Sequence, residues 1–326
     1  MDGFLALDVA KDKLDAIVSL GITDPGKDLS ELPNQFKGFK KLLRHCQQLG
    51  VNKLYVCMEA TGAYWHKVAK FFVEAGATVF VVNPKRIKGQ RKTEQKRSKT
   101  DRVDKGLILR FMKAQLNDLQ PWSPPSEAVR QLQSLVRFRE SLVSERTAKK
   151  NQIKSQAAVP AVVRMAKQQI DDLNRDISEL DKRIAEVIAQ DPKLHEQYTN
   201  ATSVPNIAQV TASIILGELR GFSEVRDPRQ ATAFAGLDVV HEESATLKKP
   251  PRISREGSRL LRSAVYRVAP GACRRSGQFR DLFLRLRSRG LKTKQAYVAV
   301  ARKLLEITVA VVVSGQPFDP HRYQPA

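Results

Sequence analysis

Residues 4–20 have the sequence FLALDVAKDKLDAIVSL, in which two apolar runs flank a charged turn and the first run ends in an acid. This pattern predicts a strand hairpin with Asp8 at the carboxyl end of its first strand. Further along, the apolar run 53–58 predicts another buried strand, and Glu59 follows it directly. The sequence therefore predicts two acids at the ends of two strands.

The order of the predicted elements indicates the fold of this region. Apolar residues at helical spacing predict a helix over 36–49, and a second helix follows the 53–58 strand and runs to Gly76. The run ATVFVV at 77–82 predicts a further strand. Strand hairpin, helix, strand, helix and strand predict an α/β layout with a mixed sheet, as in a ribonuclease-H-like domain, where the first strand is central and the fourth lies beside it.

Two more acids open the apolar run that follows KTDRVD at 99–104. On a helix, Asp101 and Asp104 share a face, with side chains roughly 5 to 6 Å apart at the base. Taken alone, they are better explained by Asp101 capping the helix and Asp104 complementing its dipole. With Asp8 and Glu59 upstream, the four acids predict a Mg²⁺ site for phosphodiester chemistry, which needs hard oxygen ligands from several elements.

The charge of the chain predicts a polyanionic partner. Its 326 residues carry 56 Lys and Arg against 34 Asp and Glu, a net charge of +22, and nucleic acid is the leading candidate partner. The three cysteines show neither zinc-ligand nor disulfide spacing. No apolar run reaches the roughly 20 residues of a membrane helix. A soluble cytoplasmic protein is expected.

Two basic regions are candidate nucleic-acid contacts. Residues 85–99 contain eight basic residues and one acid, and they either form a solvated face or clamp a phosphate backbone. Residues 252–303 contain fifteen basic residues and two acids among apolar positions of a helical core. The predicted binding residues are Lys85, Arg86, Lys88, Arg91, Lys92, Lys99, Arg252, Arg255, Arg259 and Arg262.

The remaining patterns predict three domains, at 1–120, 121–192 and 193–326. The Trp122-Ser-Pro-Pro-Ser segment marks the first boundary. A long helix over 127–156 and alternating spacings of three and four from Ile170 to Val187 predict a coiled-coil arm, with a hairpin inside one chain as the alternative. The third domain is predicted to be mainly α, with a helix-hairpin-helix-like element at 202–219.

Five motifs in order resemble those of the DEDD-type insertion-sequence transposases, relatives of the pilin-gene invertase. They are Leu7-Asp8-Val-Ala-Lys11, Met58-Glu59-Ala-Thr-Gly62, Lys99-Thr-Asp101-Arg-Val-Asp104, Phe234-Ala-Gly-Leu237 and Ile253-Ser-Arg-Glu-Gly257. The resemblance extends from about residue 4 to about residue 318.

This resemblance implies a bacterial, nucleoid-associated recombinase that joins target and donor DNA under the direction of a structured guide, the bridge RNA. It implies a RuvC-like domain with the catalytic acids, a coiled-coil arm, and a C-terminal transposase domain with a nucleophilic serine, assembled as a dimer or tetramer. The family serine falls on Ser244, which is followed by Ala245 where the family usually has glycine. Thr246, Ser254 and Ser258 are neighbouring hydroxyls.

Two other functions remain open at this point. A hydrolytic RuvC-like junction nuclease would use the same four acids with water as nucleophile. A non-catalytic nucleic-acid-binding scaffold would use the acids only as caps and surface charges. A covalent protein–DNA link distinguishes the recombinase from the nuclease, and Mg²⁺-dependent cleavage distinguishes both from the scaffold.

Overall fold

A computed structural model of the chain describes most of its residues. The described residues are 1–60, 62, 64–84, 86–87, 101–155, 159–223, 225, 227–240, 243–244, 247–248, 252–275 and 277–322. Side chains are described at all of these positions except 30, 101–104, 243–244 and 247–248. The chain forms two compact units, residues 1–124 and residues 125–326.

The first unit is built on a five-stranded mixed sheet. Its strands are β1 (Asp2–Val9), β2 (Lys13–Leu20), β3 (Lys27–Pro33), β4 (Lys53–Glu59) and β5 (Thr78–Val82), in the order β3-β2-β1-β4-β5. β1 is antiparallel to β2 and parallel to β4, and β4 is parallel to β5. The α/β prediction for the N-terminal region is confirmed, with β1 central and β4 beside it.

Strand β3 is not among the strands that the sequence pattern predicts. This edge strand has the sequence KDLSELP, in which charged residues and a proline interrupt the apolar pattern. Its pairing with β2 shifts register between Leu14 and Ala16, and Glu31 has a positive φ of 62°. Charged residues, proline and a bulge are common devices on sheet edges, and they also conceal a strand from a search for alternation.

Helices cover both faces of the sheet. One face packs against α1 (Phe36–Gln48) and α2 (Trp65–Glu74) through Leu5, Leu7 and other apolar residues. The other face packs against α3 (Asp101–Ala114) through a separate apolar cluster that includes Phe4 and Ala6. Successive β1 residues thus alternate between two cores, as the pleat requires.

The second unit is mainly helical, as predicted. Its helices are α4 (Glu127–Ser155), α5 (Pro160–Gln190), α6 (Pro192–Ser203), α7 (Gln209–Glu218), α8 (Pro228–Phe234), α9 (Arg259–Ala272), α10 (Gln278–Ser288) and α11 (Thr293–Ser314). Two-residue strands form two short antiparallel pairs between α8 and α9: β6 (Val239–Val240) with β9 (Arg252–Ile253), and β7 (Glu243–Ser244) with β8 (Leu247–Lys248).

The long helices α4 and α5 pack in two different ways along their length. Near the unit's core, Leu132 and Val136 of α4 and Ile184 of α5 belong to the main apolar cluster. Farther out, Leu142 packs with Leu173 and Ile177 in a small cluster of its own. The coiled coil, and the division of this unit into an arm and a third domain, stay predictions.

The predicted helix-hairpin-helix element corresponds to α6, α7 and the turn between them. Asn206 in this turn has a φ of 70°, a conformation for which glycine is the usual residue. Every residue from Thr211 to Glu218 of α7 is buried. This burial gives the element a structural role in the core. Across the described residues, no helix combines the length and apolarity needed to cross a bilayer.

Candidate active site

Asp8 and Glu59 lie side by side at the carboxyl ends of two neighbouring strands. The register of β1 and β4 pairs Leu7 with Met58, and Asp8 and Glu59 are the next residues of these parallel strands. Both residues are half-buried. Because side chains alternate along a strand, Asp8 falls on the face of Phe4 and Ala6, and Glu59 on the face of Cys57. Both acids are therefore on the sheet face that α3 covers.

The contacts of two lysines determine the direction of α3. Near its end, Lys113 Nζ donates to Ser19 Oγ at 2.6 Å, and Ser19 pairs with Phe4 near the start of β1. One turn after its beginning, buried Lys105 forms an ion pair with Asp28 at 2.7 Å, at the level of Ile17 and Ala6. The helix axis therefore runs antiparallel to β1, and the first turn of α3 extends toward Asp8.

Asp101 and Asp104 occupy this first turn. The rise per residue is about 1.5 Å in a helix and about 3.3 Å in a strand. The four residues from Lys105 back to Asp101 therefore cover about the same axial distance as the two residues from Ala6 to Asp8. The side chains of residues 101–104 lie outside the described part of the structure. Among the side chains that are described, no group of three or more His, Cys, Asp or Glu could hold a metal ion.

A third acid on the same face, Asp15, lies directly opposite Asp8 in the β1–β2 ladder and was not predicted from the sequence as a site residue. Its carboxylate is buried and accepts a hydrogen bond from the Glu31 N–H at 3.0 Å, and Lys13 Nζ lies 3.3 Å from it. Like charges directly opposite each other destabilise a sheet. These two contacts offset that repulsion and give Asp15 a structural role at the β3 bulge.

Asn34, also missed from sequence, connects the segments that follow the two acids. Its Nδ2 donates to the carbonyl oxygens of Ala10 at 2.8 Å, Lys11 at 3.4 Å and Tyr64 at 3.3 Å. Ala10 and Lys11 follow β1, and Tyr64 lies between β4 and α2. One amide group thus ties together the chain just beyond Asp8 and the chain just beyond Glu59. A turn-type asparagine after Pro33 carries no local signal of this role.

The cysteine thiols are poor candidates for chemistry at this edge. Burial raises the pKa of Cys57, on β4, to about 12, and the pKa of Cys46 and Cys273 to about 11. Since the thiolate is the reactive and metal-binding form, these side chains are inert near neutral pH.

In the second unit, Ser244 belongs to the paired strands between α8 and α9. In this hairpin, β6 and β9 form the base, with Val239 paired to Ile253, and Ser244 pairs with Leu247 farther along. The side chains of Ser244 and its neighbours from 241 to 251 are outside the described residues. The placement of Ser244 is therefore known at the level of the backbone.

Two of the sequence motifs hold the base of this hairpin. The N–H groups of Ser254 and Arg255 donate to the carbonyls of Asp238 and Gly236 at 2.9 and 3.0 Å, and the Ser258 N–H donates to Phe234 at 2.7 Å. Gly257 has a φ of 124°, and a Cβ there would lie 2.1 Å from the Phe234 carbonyl oxygen. The motifs 234–237 and 253–257 are thus packed backbone against backbone.

The hydroxyls of Ser254 and Ser258 are engaged in contacts that stabilise the fold. Ser254 donates to the Asp238 carboxylate and accepts the Glu256 N–H. Ser258 caps α9 by accepting the Leu261 N–H at 3.1 Å, and it donates to the buried Glu218 at 2.6 Å. Arg137 of α4 pairs with the same carboxylate at 2.6 Å. Thr246 lies outside the described residues.

Three of the predicted binding cations crowd together beside the hairpin base. Burial lowers the pKa of the Arg262 guanidinium, and the positive charges of Arg255 and Arg259 lower it further. Arg259 and Arg262 also lie in the first turn of α9, where the helix dipole is positive. The cluster therefore favours an anion. Arg252 is exposed at the start of β9.

Of the predicted cations that precede α3, Arg86 is described, and Lys85, Lys88, Arg91, Lys92 and Lys99 are outside the described residues. The Arg86 guanidinium lies 5.4 Å from the centre of the Phe111 ring of α3. This cation–π contact connects the start of the basic segment to the helix that carries the acidic pair.

Comparisons with known proteins give consistent results along the chain. A DEDD-type family model described as a transposase matches residues 5–158, and the model "Transposase IS116/IS110/IS902 family" matches residues 198–284. The chain is 29% identical to the pilin gene-inverting protein of Moraxella lacunata and 28% identical to that of Moraxella bovis, over 324 residues and 97% of each chain.

Two further similarities cover part of the chain. An uncharacterized protein of insertion element IS116 from Streptomyces clavuligerus is 27% identical over 158 residues, 46% of this chain and 38% of that protein. Among solved structures, RuvC of T. thermophilus in complex with a Holliday junction substrate is 12% identical, with a TM-score of 0.26, and covers 37% of this chain and 99% of that one.

The two family models follow each other in chain order, one over the first unit and α4, the other over the hairpin and its surrounding helices. The relatives from Moraxella align with nearly the whole chain. The chain therefore belongs to the IS116/IS110/IS902 family of DEDD transposases and recombinases, which are DNA-cutting enzymes.

Proposed function

We propose that this protein is an RNA-guided, site-specific DNA recombinase of an insertion sequence, with a Mg²⁺ site at Asp8, Glu59, Asp101 and Asp104 and a nucleophilic serine at Ser244. The observation that carries the proposal is that Asp8, Glu59 and the first turn of α3 converge at the carboxyl ends of β1 and β4. This convergence is what a phosphodiester-cutting site requires.

The donor set suits Mg²⁺. The four residues supply carboxylate oxygens, the ligands that this ion prefers, and they come from three separate elements. A bound ion would neutralise phosphate charge and activate the attacking oxygen. Asp8 and Glu59 are fixed by the strands that carry them, while the α3 pair is positioned by the Lys105 and Lys113 contacts.

Ser244 is the proposed nucleophile. Its Oγ forms a bond to the scissile phosphorus as the bond from phosphorus to the departing sugar oxygen breaks, which leaves a sugar hydroxyl. A free hydroxyl of the partner duplex then attacks the phosphoserine link and releases the serine. The phosphodiester energy is conserved, so ATP is not needed. The arginines at the hairpin base would hold the scissile phosphate.

Guide pairing would select the DNA sites. A protein that delegates sequence choice to base pairing needs contacts to nucleic-acid backbones rather than base edges, and a net charge of +22 suits that need. Target DNA, donor DNA and the bridge RNA are the proposed partners. Composite sites between subunits make a dimer or tetramer the proposed assembly, with α4 and α5 as the coiled-coil arm.

Replacing Glu59 with glutamine is expected to slow DNA cleavage by about 10³-fold, because a ligand worth several kcal/mol to the transition state is lost. The measurement is strand cleavage of a plasmid carrying the DNA junction that flanks the gene. Glu74→Gln is the matched control, since Glu74 is exposed and pairs only at the surface with Lys70. Equal rates for Glu59→Gln and the control would contradict the metal site.

Asn34→Asp is expected to slow cleavage by about 10²-fold, the cost of a small misplacement of catalytic groups. A carboxylate cannot donate to the three carbonyls that Asn34 holds. The magnesium concentration giving half-maximal cleavage is expected to rise, while DNA affinity is unchanged. The control is Asn52→Asp, at the opposite end of the sheet, where β1 and β4 begin. A loss of thermal stability with an unchanged magnesium midpoint would show a purely structural role.

A further inference from the structure

The exposed face of α1 carries a row of cations outside every motif discussed above. Lys37, Lys40, Lys41 and Arg44 follow the spacing i, i+3, i+4, i+7, and all four are exposed. The buried residues of the helix, among them Phe39, Leu42 and Cys46, occupy its opposite side. We refer to these four cations as the α1 row.

No carboxylate among the described residues forms an ion pair with the cations of the α1 row. The helix sequence FKGFKKLLRHCQQ contains no acid. Within the described part of the chain, none of the four cations has a carboxylate partner, whereas exposed cations elsewhere do, such as Lys70 with Glu74 and Arg183 with Glu186. A row of four uncompensated charges on one helix face favours a polyanion.

The position of the row connects it to the candidate active site. α1 begins next to the edge where Asp8 and Glu59 lie, because Asn34, two residues before it, bonds to Ala10 and Tyr64. The helix ends at the opposite edge, where the Asn52 N–H donates to the Met1 carbonyl at 2.9 Å. The row therefore starts at the end of the sheet where the acids lie and runs away from it on the face opposite the one that α3 covers.

The spacing of the row suits the backbone of a duplex. Arg44 follows Lys37 by seven positions, about 10 Å along the helix axis. This is about three nucleotide steps of one strand of B-DNA. At the N-terminal end, Lys40 Nζ lies 4.5 Å from the ring centre of the exposed Phe36, which limits the freedom of that lysine.

A groove beside the row offers further contacts. It measures about 270 Å³ and lies between α1 and the edge strand β3, and its lining residues include Leu29, Leu32 and Leu42 as well as Lys41 and Arg44 of the row. His45 also lines it, and its buried Nε2 has no hydrogen-bond partner among the described residues.

We propose that the α1 row is a docking surface for the backbone of duplex DNA, the flank of the segment whose scissile phosphate reaches Asp8 and Glu59. The assignment of the row to DNA that flanks the cut site rests on the proposed function, whereas the positive charge of the row is independent of it. DNA is favoured over RNA because the row starts at the end of the sheet that carries the proposed cut site, so a duplex that extends past this end can reach the row on the other face.

The test compares two variants that each lose four positive charges. One carries Lys37→Gln, Lys40→Gln, Lys41→Gln and Arg44→Gln. The matched control carries Lys70→Gln, Arg175→Gln, Lys182→Gln and Arg183→Gln, four exposed cations that already have carboxylate partners. The fluorescence anisotropy of a labelled random-sequence DNA duplex gives the affinity of each full chain over a series of salt concentrations.

For the α1 variant, the slope of log affinity against log salt is expected to become shallower by about 3, and binding to weaken for every sequence. The control is expected to change the slope by less than about 1. Thermal unfolding is expected to be unchanged in both variants, because the substituted residues are exposed. Equal slope changes in the two variants would overturn the proposal, since net charge alone would then explain them.

A second probe, a labelled RNA duplex of the same length, distinguishes the two nucleic acids. A loss confined to DNA supports the proposal. A loss confined to RNA, or equal for both, overturns it. All binding is measured without divalent metal and with Glu59→Gln in both variants, so the result is independent of whether the acids cleave DNA.

Discussion

Ser244→Ala is expected to eliminate the covalent protein–DNA link and to slow strand cleavage by roughly 10⁶-fold, the size of loss that follows removal of a catalytic serine. Alanine lacks the oxygen that would attack phosphorus, and the rest of the site is left in place. Denaturing gel electrophoresis of a labelled DNA substrate detects the link as a band of low mobility that protease removes.

Ser254→Ala and Ser258→Ala are the controls, since both hydroxyls are engaged in the fold. Ser258→Ala removes a helix cap and is expected to cost about 1 kcal/mol of stability. Both variants are expected to keep the covalent link. If Ser244→Ala still cleaves and wild-type products carry no protein, water is the nucleophile and the enzyme is a hydrolytic nuclease. A link lost only in Ser254→Ala would move the nucleophile to that residue.

Gly257→Ala is expected to lower the free energy of unfolding of the second unit by about 4 to 5 kcal/mol, a loss typical of severe backbone and steric conflict. The added methyl would lie 2.1 Å from the Phe234 carbonyl oxygen, in a backbone conformation with a φ of 124°. Relief of this clash would separate the two motifs that hold the Ser244 hairpin. Urea unfolding followed by circular dichroism gives the loss.

Gly277→Ala isolates the contribution of the steric clash. Gly277 has a φ of 122°, almost the same as Gly257, but apart from its chain neighbours no atom of the described residues lies within 4 Å of the position of its added Cβ. Only backbone strain is introduced there, which costs about 1 to 3 kcal/mol. Equal losses for the two variants would mean that the Phe234 contact contributes nothing to the effect.

The sheet and the two strand-end acids were predictable because their signals are local. An apolar run that ends in an acid, as at Asp8 and Glu59, predicts both a buried strand and the position of its carboxylate. The order of elements then places β1 beside β4 without any information on side-chain contacts. The mainly helical character of the second unit followed from periodicity in the same way.

Other features depend on contacts between distant segments and have no local signal. β3 pairs through its backbone despite a charged sequence, and Asn34 acts through carbonyls that lie 23 to 30 residues away. The hairpin around Ser244 has strands of only two residues, too short to show alternation. Its base is instead formed by close packing between glycine-containing segments, which chain order alone does not reveal.

The packing of the motifs 234–237 and 253–257 also constrains how this protein can vary. Since Gly257 meets the Phe234 carbonyl and Arg255 bonds to Gly236, a change in one segment alters the surface that the other must fit. Substitutions in one segment are therefore expected to require matching substitutions in the other. A chimaera between relatives therefore has to exchange both segments together.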